Sequence, residues 1–125
     1  MTKNVDEMWP ILVEMLKTHE NVFKIVSDTA DKFEVTGTKS VMQGKQRVEG
    51  HYFATLMPKP KDVRFYFFPA YTHVEEIKPL MNETVAKFLK GKSCFYIKKM
   101  DDEIRENLKT IVAKGVELYQ KEGLL

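Results

Sequence analysis

The chain has 125 residues, 43% apolar and 30% charged, and its 20 basic and 18 acidic groups leave a net charge of +2. This length predicts one domain spanning residues 1–125, and the composition excludes a disordered chain. The small net charge does not predict nucleic-acid binding. No apolar run approaches a membrane-spanning helix, there is no signal-peptide pattern, and the single cysteine is typical of a cytoplasmic protein.

The first third of the chain predicts a helix followed by two short strands. Residues 5–19 carry apolar side chains at helical spacing, with Asp6 as the expected N-cap. Residues 22–28 and 32–36 are rich in β-branched and aromatic side chains, which favours strands. Residues 37–45 contain two isolated glycines and are expected to form a loop.

A hairpin formed by residues 48–57 and 62–68 is the clearest β signal. The intervening residues 58–61 predict a four-residue loop in which Met57 pairs with Asp62. This register divides the hairpin into two faces. The apolar face, expected to pack against the helices, carries Tyr52, Ala54, Leu56, Val63, Phe65 and Phe67. The mixed face carries His51, Phe53, Thr55, Arg64, Tyr66 and Phe68.

The last third of the chain predicts helices around one more strand. Thr72 and Glu75 have the spacing of a capping box, which opens a short helix. Asn82 is the expected cap of a second helix over residues 83–90, residues 93–98 predict a strand, and Asp101 is the expected cap of a long amphipathic helix. The order α-β-β-β-β-α-β-α predicts an α+β fold, with an antiparallel sheet of about five strands and three to four helices packed mainly on one face.

The basic groups are concentrated in the middle of the chain. Residues 36–64 hold six basic and two acidic groups, and residues 65–100 hold six and three, whereas both ends are acidic. Basic groups interleaved with aromatic ones are one way to bind single-stranded nucleic acid or a phosphorylated ligand. The alternative is that lysines keep loops soluble and block pairing at strand edges. Because 17 of the 20 basic residues are lysine, the alternative is favoured.

The mixed hairpin face supports the leading functional hypothesis. Large aromatic side chains with polar ends typically line ligand pockets. We therefore expect a non-enzymatic module that binds a small molecule or a protein partner, and an uncovered apolar sheet face would favour a homodimer. The candidate ligand-binding residues are His51, Phe53, Arg64, Tyr66, Tyr71, His73 and Cys94.

Motifs of several large enzyme classes are absent from the chain. It contains no phosphate-binding Gly-rich loop, no zinc-binding spacing of Cys and His, and no nucleophile elbow. No catalytic residue and no cofactor are therefore predicted. One alternative is an enzyme whose reactive group is Cys94 or a histidine, with neighbouring lysines lowering the thiol pKa. Another is a metal site that joins His51, His73 and Cys94.

The segment from Val63 to Tyr119 resembles the YdhG-like family, a widespread bacterial domain of unknown function. Three stretches carry the resemblance. The first is the strand 63–71, which runs into a proline and an aromatic residue. The second is Gly91-Lys92-Ser93-Cys94-Phe95 with the following lysine pair, and the third is the closing amphipathic helix.

The resemblance implies an α+β fold with an antiparallel sheet and a small cytoplasmic bacterial protein. Some family members are described as frataxin-like iron chaperones, which hold iron and pass it to cluster- or haem-assembly partners. The resemblance assigns no metal ligands. For this chain, an iron-binding function would draw on exposed carboxylates, which are Asp101, Asp102, Glu103 and Glu106, with Glu75 and Glu76.

Overall fold

The computed structural model describes residues 1–125 and has an α+β fold of eight strands and five helices. The strands are β1 (Lys24–Thr29), β2 (Lys32–Thr36), β3 (Ser40–Gln43), β4 (Gln46–Glu49), β5 (Tyr52–Pro58), β6 (Val63–Phe67), β7 (Leu89–Lys90) and β8 (Cys94–Ile97). The helices are α1 (Val5–Lys17), α2 (Pro69–Thr72), α3 (Val74–Ile77), α4 (Glu83–Phe88) and α5 (Asp102–Lys121). None of these helices combines the length and the apolar character needed to cross a membrane.

Six strands form one antiparallel sheet in the order β1-β2-β5-β6-β8-β7, and β3 pairs with β4 in a separate hairpin. An apolar row crosses the sheet in register through Phe33, Leu56, Phe65 and Phe95, all fully buried. The helices contribute Met8, Leu12, Leu108, Ile111 and other side chains to the same core. The predicted α+β architecture is thus confirmed, with one strand more in the main sheet than expected.

Helix α5 packs unusually close to the sheet at Gly115. A Cβ atom built on this glycine would lie 2.8 Å from Cζ of Phe67 and 3.0 Å from Cγ of Pro69. These distances are shorter than ordinary van der Waals contacts, so only glycine fits without a shift of the buried ring. Gly115 therefore sets the distance between the longest helix and the centre of the sheet.

The register of the β5–β6 hairpin differs from the prediction by two residues. Met57 pairs with Arg64 rather than with Asp62, and Pro58 pairs with Val63. The four-residue loop therefore starts one position later than predicted, and it is closed by a 2.8 Å hydrogen bond from the Lys59 N–H to the Asp62 carbonyl. Because a shift by two preserves alternation, it moves no side chain to the opposite face.

A β-bulge in β5 does move two side chains. Val35 pairs with Ala54, but Thr36 pairs with Tyr52, so Phe53 is the extra residue. As a result Phe53 is fully buried in the core, where its ring lies 4.7 Å from that of Phe23. The predictions that Phe53 lies on the mixed face and Tyr52 in the core were both wrong.

Four local predictions also need correction. The expected loop at residues 37–45 contains β3, and the expected strand 48–57 is broken at Gly50, whose φ of 133° disfavours any side chain. Helix α1 is capped by Asn4, whose side chain accepts from the Glu7 N–H, rather than by Asp6. The capping box is absent, since α3 begins after His73 without a side-chain cap.

Candidate functional site on the outer sheet face

The sheet face opposite the core carries a polar row that runs in register across all six strands. Glu34 pairs with Thr55, Thr55 with Tyr66, and Tyr66 with Cys94. Paired residues in a sheet share one face, so these side chains stand next to one another. We call Glu34, Thr55, Tyr66 and Cys94 the outer row; Ser27 and Lys90 extend it to the two edge strands.

Tyr52 joins one end of the outer row because the β-bulge turns it outward. The Thr55 hydroxyl donates to Oε1 of Glu34 at 3.3 Å, and the Tyr52 hydroxyl donates in turn to Thr55. Burial raises the pKa of Tyr52 to about 12, and the negative charge of Glu34 acts in the same direction. The phenol is therefore a protonated hydrogen-bond donor at neutral pH.

Tyr66 and Cys94 form the other end of the outer row. They are register partners on β6 and β8, so their side chains stand next to each other on this face. Burial raises the pKa of the Cys94 thiol, and this effect outweighs the lowering by the neighbouring Tyr66 hydroxyl and the Arg64 charge. The thiol is thus protonated at neutral pH, which is the opposite of the lowered pKa expected for a reactive cysteine.

Arg64 lies beside the outer row with its guanidinium group held on two sides. Its Nε donates to Oδ1 of Asp62 at 2.7 Å. Its Cζ lies 3.8 Å from the ring centre of Tyr96, its register partner on β8. Because the hydrogen bond to Asp62 and the ring of Tyr96 already fix the guanidinium group, its side chain loses little conformational entropy when a ligand binds.

The two predicted histidine candidates lie away from the outer face, against the buried ring of Tyr119. The centre of the His51 ring is 5.0 Å from that of Tyr119, and the centre of the His73 ring is 5.5 Å from it. His51 is only 7% exposed, and its Nδ1 lies 3.0 Å from the Tyr52 carbonyl oxygen. His51, His73 and Cys94 are not grouped so as to hold a metal ion, so the alternative of a metal site that joins all three is not supported.

His73 takes part in a hydrogen-bonded chain at the end of α5. Its Nε2 donates to the Glu122 carboxylate, and its Nδ1 lies 2.8 Å from Oγ1 of Thr72. The same hydroxyl is 3.2 Å from the Tyr119 hydroxyl and 3.4 Å from the Phe68 carbonyl. The Thr72 hydroxyl, the His73 imidazole and the Glu122 carboxylate follow one another as in the catalytic triad of hydrolases. Here their hydrogen bonds connect α2 to the end of α5.

Tyr71 belongs to a different surface from the outer row. Its ring is 49% exposed and lines an apolar groove of about 340 Å³ with Val74, Met81 and Leu89. Nζ of Lys92 lies 5.3 Å from the ring centre of Tyr71. The seven predicted site residues are therefore divided, and only Arg64, Tyr66 and Cys94 come together on the outer sheet face.

Three of the six carboxylates expected for an iron-binding function serve as a helix cap or in surface ion pairs. Asp101 accepts a 2.8 Å hydrogen bond from the Ile104 N–H at the start of α5. Asp102 and Glu106 pair with basic side chains three residues further along the helix, each at 3.6 Å. No three His, Cys, Asp or Glu side chains are grouped so as to hold a metal ion.

Three members of the site were missed at the sequence level. Glu34 and Tyr96 lie in strands whose alternating pattern was visible, so the alternation of KFEVT and CFYI was sufficient to place them. Tyr52 was missed because the bulge at Phe53 has no signal in the local sequence. The bulge depends on which strand lies beside β5, which is a property of the whole sheet.

Comparisons with family models, with curated proteins and with solved structures find no match for this chain. The resemblance to the YdhG-like family therefore stays a prediction.

Proposed function

We propose that this protein is a non-enzymatic binding module whose outer sheet face binds a small, flat, polar molecule. The observation that carries the proposal is the outer row, flanked by Tyr52 and by Arg64 stacked on Tyr96. This face offers hydroxyl groups, one fixed cation and aromatic surface within adjacent positions of four strands. Such a combination is typical of sites that recognise a ligand by orientation as well as by contact area.

Binding is favoured over covalent chemistry by the state of the side chains on this face. The Cys94 thiol has a raised pKa, mainly because of burial, and its register neighbour on β6 is the phenol of Tyr66 rather than a base. The pKa of Tyr66 is also raised, mainly by burial, so this phenol too is protonated at neutral pH. Hydroxyl groups that are already held in place lose little conformational entropy when a ligand hydrogen-bonds to them.

A fragment screen followed by two-dimensional nitrogen–proton NMR tests the proposal. Fragments that bind should shift amide resonances of β5, β6 and β8. The variant Tyr66→Phe removes one hydroxyl and keeps the ring, and we expect it to weaken binding by about fivefold or more. Tyr71→Phe is the matched control, because it makes the same chemical change in the separate apolar groove.

Two results would contradict the proposal. One is a set of fragments whose shifts map only to the Tyr71 groove. The other is an outer-face fragment whose affinity is the same in Tyr66→Phe, in Arg64→Ala and in the unmodified protein. In both cases the outer row would have no part in ligand recognition.

A further inference from the structure

Four lysines surround a depression at the end of the sheet where β5 turns into β6. The depression has a volume of about 810 Å³. This size is within the range of pockets that hold small molecules. Its charged lining consists of Lys3, Lys61, Lys98, Lys99 and Asp62, and Pro60, Phe88 and Tyr96 complete its walls. We call this the lysine depression.

Backbone contacts bring these lysines together from three distant parts of the chain. The N–H and carbonyl groups of Thr2 each bond to Met100 at 2.8 Å, which places Lys3 beside the segment containing Lys98 and Lys99. Lys61 comes from the β5–β6 loop, closed by the Lys59–Asp62 hydrogen bond. The convergence is therefore fixed by the fold and is not a feature of one flexible tail.

The four lysines have no acidic partners, although ion pairs are common elsewhere on this protein. Asp62 is the only carboxylate in the lining, and it is engaged by Arg64 at 2.7 Å. The nearby Asp6 lines an adjoining hollow together with Lys3 and Lys59, and it is not among the residues that form ion pairs. The lysines that do form ion pairs are Lys17, Lys32, Lys87, Lys109, Lys114 and Lys121.

Unpaired positive charges in one depression repel one another and attract an anion whose negative charge neutralises them. A phosphate group carries about two negative charges at neutral pH, so four lysines correspond to two or more phosphates. Lysine binds phosphate as a point charge and needs no planar two-pronged geometry, which suits a flexible phosphate chain. On the outer face the basic groups Lys32 and Arg64 are paired with Glu34 and Asp62, so no continuous track of unpaired basic groups for a nucleic-acid strand extends from here.

We propose that the lysine depression binds a small polyphosphate, meaning a metabolite that carries two or more linked phosphate groups. The ring of Tyr96 forms part of the wall and offers contact for whatever group the phosphates carry. This site goes beyond the proposed function and does not depend on it, because the outer row need not be occupied for the lysines to bind an anion.

Isothermal titration calorimetry at about 50 mM salt tests the site, with inorganic triphosphate as the probe. We expect saturable binding that Lys61→Ala/Lys98→Ala weakens by about tenfold or more, since two charged contacts are lost. The matched control is Lys39→Ala/Lys45→Ala, which removes the same charge from exposed positions near β3. It should bind within about twofold of the unmodified protein, and Lys61→Arg/Lys98→Arg should restore most of the affinity.

Further probes decide between kinds of anion. Adenosine triphosphate should bind at least as tightly as inorganic triphosphate, and orthophosphate more weakly. Absence of triphosphate binding would overturn the proposal, and so would an equal loss of affinity in both double alanine variants, which would show unspecific charge attraction. A single-stranded oligonucleotide that binds where triphosphate does not would also overturn it, in favour of nucleic acid. Circular dichroism of each variant shows that the fold is kept.

Discussion

The phenol of Tyr52 is held in its neutral form by the fold. Its pKa is about 12, against the ordinary value of 10, because burial disfavours the phenolate. Below pH 10 the phenol is protonated in both folded and unfolded chains. Between pH 10 and 12 the unfolded chain has lost this proton while the folded one retains it. Stability must therefore fall as the pH rises through this range.

We accordingly expect Tyr52→Phe to lose less stability than the unmodified protein between pH 10 and pH 12. Urea unfolding followed by the fluorescence of the single tryptophan, at pH 8, 10 and 11, measures the difference. Absorbance at 295 nm should show one late-ionising phenol fewer in the variant. An identical alkaline decline in both proteins would contradict the environment described for Tyr52.

The thiol of Cys94 should react slowly with alkylating reagents. Its pKa is raised, mainly by burial, so little thiolate is present at neutral pH. Iodoacetamide at pH 7.5 should modify the folded protein more slowly than the same protein in urea, measured by mass spectrometry. A faster reaction in the folded protein would support the alternative of an enzyme with a cysteine nucleophile.

At the scale of elements, the close approach of α5 to the sheet makes a clear prediction for Gly115. Alanine is the better helix former by about 1 kcal/mol, yet its Cβ would meet the fully buried ring of Phe67 at 2.8 Å. Overpacking of this kind costs about 1–3 kcal/mol, so Gly115→Ala should lower the free energy of unfolding by up to about 2 kcal/mol. Chemical denaturation measures this change.

The double variant Gly115→Ala/Phe67→Leu separates packing from helix propensity. If the ring is the obstacle, Phe67→Leu should cost less in the Gly115→Ala background than in the unmodified protein. Ala113→Gly, on the exposed side of the same helix, should cost about 1 kcal/mol through propensity alone. A Gly115→Ala variant that is more stable than the unmodified protein would contradict the packing described here.

Elements with local signals could be predicted from the sequence, and those set by distant partners could not. Asn82 and Asp101 were identified as caps of α4 and α5 because a cap depends only on the next few residues. The outer-face position of Tyr66 was predicted from the alternation of side chains along its strand, and it is correct although the predicted register was wrong by two residues. In contrast, the face of Phe53 depends on a bulge between β5 and β2, and the groove beside Tyr71 depends on tertiary packing.

The candidate site shows the same division. Arg64, Tyr66 and Cys94 lie in strands whose pattern was legible, and they do meet on one face. His51 and His73 were expected to join them because they flank the hairpin in sequence. Their imidazoles instead pack against Tyr119, whose position is set by the final helix. The positions of His51 and His73 on either side of the hairpin in sequence do not reveal that a residue of the final helix packs against both imidazoles.

For the whole molecule, the distribution of charge affects stability as well as binding. The four unpaired lysines of the lysine depression repel one another in the folded state. Lys61→Ala/Lys98→Ala should therefore be as stable as Lys39→Ala/Lys45→Ala or more stable, by a few tenths of a kcal/mol at about 20 mM salt. Thermal unfolding at low salt and at about 0.5 M salt measures both effects.

The difference between the two double variants should vanish at high salt, because screening shortens the range of charge repulsion to a few ångströms. A Lys61→Ala/Lys98→Ala variant that is clearly less stable at low salt would mean that these lysines stabilise the fold. In that case their convergence would be a structural feature and not a charge held ready for an anion.

The β3–β4 hairpin leaves the main sheet and returns to it at nearly the same point. The Gly37 N–H donates to the His51 carbonyl at 2.8 Å, so residues 38–50 begin and end beside one another, and β2 and β5 pair without them. One hydrogen bond, from the Tyr52 N–H to the Gln43 side chain, ties the excursion back to β5. The entropic cost of closing a loop rises only slowly with the number of residues in it. Residues 38–50 are therefore a segment that evolution or an engineer can lengthen, shorten or replace while the sheet stays intact.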